Sequence, residues 1–147
     1  MASNTTGYPA LQFRIARPTA QLDNVVAFYT EGLGLPLLYR FEGHGGYRGA
    51  MIGLPDAAHH LEFTEHESGS PCPAPTTDNL LVLYFSTREA LNEIRQRLEH
   101  SGAVPVPPEN PYWEAKGLTY EDPDGWRVVL YEGVFGGGGR TNEQMSK

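Results

Sequence analysis

The hydrophobic pattern along the chain changes period four times, and the changes come in the same order twice. "LQFRIARP", from Leu11 to Pro18, alternates as a strand does, and Pro18 ends it because proline cannot donate to a ladder. In "TAQLDNVVAFYTEGLGL" the period lengthens. Leu22, Val25, Val26 and Tyr29 fall at i, i+3, i+4 and i+7, one face of a helix, with Thr19 as its expected cap and Gly32 or Gly34 as its expected stop. "PLLYRFEG", "YRGAMIGL" and "HHLEFTEH" then predict three short strands, separated by the turn-forming "GHGG" and "PDAA".

"SGSPCPAPTTDN", residues 68–79, predicts an extended, stiff linker. After it the order repeats. "LLVLYF" predicts a strand. "STREALNEIRQRLEHSG" predicts a helix with a capping box from Ser86 to Glu89, a buried stripe of Leu91, Ile94 and Leu98, and Gly102 at its end. "AVPVPP", a segment within "YWEAKGLTYED", and "WRVVLYE" predict three more strands, the last two joined by the turn "DPDG". The chain therefore reads as α+β, two βαβββ modules over 10–67 and 80–134, forming one domain over 10–134. The glycine-rich, polar end at 136–147 and the start at 1–9 are expected to be flexible. One helix covers only one face of a sheet. The uncovered faces predict a curved mixed sheet around a cleft, the usual place for a ligand.

Composition narrows the partners. Eleven basic and eighteen acidic residues give a formal charge of −7, which argues against nucleic acid, since phosphate binding needs clustered Lys and Arg. Cys72 is the single cysteine, so an internal disulfide and a cysteine-based zinc site are excluded. The N-terminal stretch lacks a basic start and an apolar run, and no segment approaches the length of a membrane span. A cytoplasmic protein that does not engage a membrane is expected.

Two motifs, "AFYTEGLGL" at the end of the first helix and "EDPDGWRVVLYE" at the last hairpin, resemble those of the vicinal oxygen chelate superfamily. That superfamily includes glyoxalase I, extradiol dioxygenases, and fosfomycin and bleomycin resistance proteins. The resemblance covers residues 10–134. It implies paired βαβββ modules, a homodimer, and a cleft that in many members holds one divalent metal. It also implies four ligand places, a His on the first strand of each module and a Glu on the last. Here those places carry Arg14, Leu80, Glu62 and Val129, so only Glu62 keeps a ligand type.

"HHLEFTEHE", residues 59–67, concentrates imidazoles and carboxylates. Strand alternation puts Leu61 and Phe63 toward the helix, and His60 and Glu62 toward the cleft, while His66 is expected beyond the strand. The string is not the zincin helix motif. A catalytic metal wants three protein ligands and an open position, and Arg14 would repel it. The expected cleft holds no metal and no cofactor; the alternative is one divalent metal near Glu62.

The cleft-lining candidates are Arg14, His60, Glu62, Tyr84, Tyr112, Trp113 and Arg127, beside Leu80, Val82 and Val129. Arg14 and Glu62 read either as a structural ion pair or as a pair that orients a carboxylate or carbonyl. His60 reads as a hydrogen-bonded strand residue or, with Glu62, as a candidate catalytic acid or base. Tyr112 and Trp113 read as core or as an aromatic lid. Three functions fit this pattern. The first is metal-independent binding or sequestration of a small molecule, as in bleomycin resistance. The second is a glyoxalase-like lyase or isomerase, or a dioxygenase, acting on a small polar substrate through a non-standard metal or acid–base site. The third is a protein-interaction module.

Overall fold

In a computed structural model, which describes residues 9–70 and 74–135, the chain forms two compact units. Of the described residues, the first comprises 9–30 and 35–70, the second 31–34 and 74–135. The expected flexible ends (Pro9 apart), Cys72 and part of the linker lie outside the described residues. No helix among the described residues is long and apolar enough to cross a membrane.

The first unit follows the sequence pattern closely. Strand β1 (Phe13–Pro18) starts later than expected, leaving Leu11 exposed before it. Helix α1 (Leu22–Ala27) continues as a wider π-helical turn through Phe28–Gly32. Strands β2 (Leu37–His44), β3 (Tyr47–Ile52) and β4 (His59–His66) complete a sheet of order β1-β4-β3-β2. β1 runs parallel to β4 and the other pairs are antiparallel, so the sheet is mixed. The stripe Leu22, Val25, Val26 and Tyr29 is buried, and the Tyr29 ring stacks on Phe63 at 4.8 Å.

The cap of α1 differs from the expectation. Thr19 Oγ1 accepts from the Gln21 N–H, while the first helical N–H, that of Leu22, donates to the Glu65 carboxylate at 3.1 Å. A carboxylate from β4 thus supplies the acceptor and negative charge that a helix start favours. The same Glu65 oxygen accepts from Arg48 at 2.9 Å, and this bond is the main cause holding the Arg48 guanidinium pKa above its ordinary value. His66 is the last residue of β4, not a linker residue, and its ring stands edge-on to Tyr47 at 4.7 Å.

In the second unit, strand β5 (Leu80–Phe85), helix α2 (Arg88–His100), strand β6 (Gly117–Glu121) and strand β7 (Arg127–Glu132) appear where expected. The cap of α2 is Thr87, whose side chain accepts from the Ala90 N–H, rather than Ser86. Leu91 and Leu98 are fully buried, whereas Ile94 is only half-buried. The sheet has the order β5-β7-β6, parallel between β5 and β7.

The expected strand "AVPVPP" is reduced to one bridge, Val106 to Thr119. Pro105, Pro107 and Pro108 have no N–H to give, so the segment cannot build a continuous ladder, and the Val106 N–H bonds to the Thr119 carbonyl at 2.8 Å. The "DPDG" turn forms as predicted. Asp122 Oδ1 accepts from the N–H groups of Asp124 and Trp126, and Gly125 takes the left-handed conformation at φ 90°. Residues 31–34 join this unit because Arg97 Nη2 donates to the Glu31 carbonyl at 3.0 Å and the Arg97 side chain lies against Gly34.

Tyr120 is a core residue whose polar group is poorly served. Tyr120 is buried on the face of β6 turned toward α2, and its hydroxyl finds no hydrogen-bond partner among the described residues. Burial holds its pKa above the ordinary phenol value. A buried hydroxyl without a partner costs free energy, so Tyr120→Phe is expected to stabilise the protein by about 1 kcal/mol. Urea denaturation of the two proteins checks this, and a clear loss of stability would show that the hydroxyl is paired in solution.

Candidate functional site

In the first unit the candidate residues converge. β1 and β4 pair Arg14 with His60 and Ala16 with Glu62, so residues of one parity share a face across both strands. Phe63, stacked on the helical Tyr29, marks the other face as the one toward α1. Arg14, His60 and Glu62 therefore stand on the face turned away from the helix. β3 adds Met51, the register partner of Glu62.

The Arg14 guanidinium is the centre of this group. Its Nε donates to His60 Nε2 at 2.9 Å, its Nη1 to Glu62 Oε1 at 3.4 Å, and its Nη2 to Met51 Sδ at 3.7 Å. A guanidinium can only donate, so His60 Nε2 accepts and the ring proton sits on Nδ1. Arg14 keeps 45% of its side-chain surface exposed against 14% for Glu62. Three of its five N–H groups are engaged, which leaves one on each Nη. His60 is buried beneath it, close against Gly53.

In the second unit the candidates form an aromatic cluster. Residues 110–113 turn tightly, with the Asn110 side chain accepting from the Tyr112 N–H at 2.9 Å. Trp113 is buried and Tyr112 half-buried. Both pack on Tyr131, Trp113 edge-on at 5.3 Å and Tyr112 stacked at 6.0 Å. Tyr84, 43% exposed, meets the same Tyr131 ring edge-on at 5.8 Å. Such offset and edge-on pairs stabilise one another beyond the area they bury.

Arg127 shares the strand parity of Val129 and Tyr131, but its guanidinium is committed within the unit. Nε and Nη2 donate to Glu121 at 3.1 and 3.0 Å, and Nη1 to the Pro107 carbonyl at 2.9 Å. It ties the hairpin to the proline-rich segment. Met51 and Tyr131 were not among the residues picked out from the sequence. Strand alternation contained both: Met51 lies opposite Glu62, and Tyr131 stands two residues beyond Val129.

At the four places where the resemblance implies metal ligands, the residues present do not suit a divalent ion: Leu80 and Val129 have no donor atom, and Arg14 brings a positive charge to Glu62. A polar hollow of about 450 Å³ lies at the other end of β4, lined by Glu42, Tyr47, Arg48, Glu65, His66 and Glu67. None of the cleft candidates lines it.

This α+β arrangement of small mixed sheets is that of the vicinal oxygen chelate superfamily, the class of the glyoxalases and of the bleomycin and fosfomycin resistance proteins. Residues 13–64 match the model of the YycE-like N-terminal domain, and residues 78–132 that of the YycE-like C-terminal domain. The chain belongs to the YycE-like family. It is 50% identical to the protein YycE of Bacillus subtilis (strain 168) over 130 residues, 88% of this chain and 94% of that one. The crystal structure of a Bacillus subtilis YycE protein superposes with a TM-score of 0.82 at 48% identity, over 90% of this chain and 98% of that one.

More distant structures share the fold. TnmS3, an antibiotic binding protein from Streptomyces sp. CB03234, matches with a TM-score of 0.60 at 22% identity, over 87% of this chain and 98% of its own. The fosfomycin resistance protein FosX from Mesorhizobium loti matches with a TM-score of 0.65 at 13% identity, over 95% and 99%.

Proposed function

We propose that this protein binds a small molecule without a resident metal, and that Arg14 receives a carboxylate or carbonyl oxygen of that ligand. The carrying observation is the Arg14 guanidinium: fixed by His60 and Glu62, nearly half exposed, with an N–H unspent on each Nη. A guanidinium held in place loses little freedom when it takes a ligand oxygen, and charge-assisted bonds of this kind are the strong ones. A protein that shares this fold, TnmS3, is an antibiotic binding protein, which fits a fold able to hold a small molecule. A homodimer belongs to the same proposal; the exposed Phe13 and Ile15 on the edge strand β1 support it.

The acid–base reading is less well supported. His60 Nε2, the nitrogen a general base would use, is taken by Arg14.

A thermal-shift screen of antibiotics and small carboxylate or carbonyl metabolites tests the proposal. A ligand present at about one hundred times its dissociation constant should stabilise the wild type by about 2.7 kcal/mol. The same ligand should leave Arg14→Gln unshifted at that concentration. A shift that survives Arg14→Gln, or a wild type that answers to none of these compounds, would remove the proposal.

A further inference from the structure

The face of the first sheet turned away from α1 has a second half, beyond the residues that hold Arg14. Register carries Glu62 on β4 to Met51 on β3, and Met51 to Tyr39 on β2. Two residues further along, Gly49 on β3 stands opposite Phe41 on β2. Directly opposed residues on paired strands point to the same side. Tyr39 and Phe41 therefore share the face of Arg14, His60 and Glu62, within one unit. Tyr39 is 59% exposed and Phe41 half-buried, so neither ring is spent on the core.

Gly49 decides how these rings lie. A Cβ there would sit 2.7 Å from two carbons of the Phe41 ring. The bare glycine lets that ring lie down over the backbone of β3. Tyr39 stacks beside it, with ring centroids 6.5 Å apart and planes 20° from parallel. Together they form a flat aromatic shelf that is open at Tyr39. Met51 joins the shelf to the guanidinium. Its Sδ accepts from Arg14 Nη2 at 3.7 Å, and the strand that carries Tyr39 is the next one, about 4.8 Å away.

We infer that the ligand held by Arg14 is a flat aromatic compound, with its ring on Tyr39 and Phe41 and its carboxylate or carbonyl joined to the ring. This rests on the reading of Arg14 given above and adds the part of the ligand that Arg14 does not reach. The oxygen meets the N–H left on each Nη while the ring meets the shelf. One strand spacing separates the cation from the shelf, and β2 is the outer strand of the sheet. A long spacer between oxygen and ring would carry the ring past β2. A flat ring gains from stacking on Tyr39 and from the edge contact that a thioether offers. A saturated ring of the same size has no π-face and gains neither, although it is at least as apolar.

The probes are 2-naphthoate and 2-naphthamide, each beside its fully saturated decalin counterpart, titrated into the full chain by calorimetry. At least one aromatic probe is expected to bind the wild type about three- to tenfold more tightly than its saturated counterpart. Tyr39→Leu keeps an apolar surface and should erase that preference, whereas Tyr39→Phe should keep it. Circular dichroism establishes that each variant is folded, and if the leucine variant is not, Tyr39→Thr takes its place. Equal binding of aromatic and saturated probes would overturn the inference, as would a preference that survives without an aromatic ring at position 39. So would a wild type that binds neither aromatic probe at millimolar concentration. The two readings separate in Arg14→Gln. Probes that all bind the wild type alike and are all lost in Arg14→Gln would remove the shelf and leave the role of Arg14 standing. Undiminished binding of the aromatic probes in Arg14→Gln would remove both.

Discussion

Phe63→Ala should cost about 3–5 kcal/mol and leave the first unit unable to hold its site. Phe63 is 1% exposed, and its ring stacks on Tyr29 while the Arg17 guanidinium lies 4.9 Å from its centre. Truncation removes the ring that stacks on Tyr29 and leaves a cavity between β4 and the helical segment. Phe63 is also the residue after Glu62, and its neighbours on the opposite face of the same strand are those that hold Arg14. Loss of packing behind β4 therefore loosens the frame on which His60 and Glu62 are set. Urea denaturation measures the loss. A change below about 1 kcal/mol, with an unchanged slope, would mean that the helix does not rest on this ring.

Gly117→Ala should be nearly as damaging in the second unit. A Cβ at this position would sit 2.6 Å from the Trp113 carbonyl oxygen, 3.2 Å from that of Leu130 and 3.3 Å from a methyl of Val129. Two of these neighbours are backbone, which cannot rotate away. Overpacking of this kind costs about 1–3 kcal/mol, and we expect the upper part of that range. Strand β6 is tied to β7, so the segment free to yield is the turn at 110–113. Its displacement would lift Trp113 and Tyr112 from Tyr131. In a Trp126→Phe background, the remaining indole emission should shift to longer wavelength and become open to quenching. An alanine variant of wild-type stability with unchanged emission would show that the contact relaxes without moving the turn.

The strand faces were legible in the sequence because alternation is a hard geometric rule. "HLEFT" divides Leu61 and Phe63 from His60 and Glu62, and the structure divides them the same way. The pairing of Arg14 with Glu62 followed from faces plus family position. The engagement of His60 and Met51 did not, because it depends on where a long side chain ends, which strand parity leaves open. Arg127 illustrates the same gap. Its parity is as expected, yet its guanidinium turns to Glu121, its partner across the hairpin, and to the Pro107 carbonyl. "AVPVPP" was misread because alternating valines satisfy the period while the intervening prolines lack the hydrogens that make a ladder. The cap of α1 was hidden for a different reason: Glu65 lies far along the chain from Leu22, and no local motif signals it.

The parallel pairing of β1 with β4 has a kinetic side. β2, β3 and β4 are joined by antiparallel contacts between near neighbours in the chain and can assemble locally. β1 must instead close a loop, for Arg14 and His60 are 46 residues apart. Closing a flexible loop of that length costs about 3 kcal/mol in chain entropy, beyond the cost common to all loops. Pairings of such long range slow folding. A nascent or partly refolded chain that has formed only the meander presents His60 and Glu62 but no guanidinium between them.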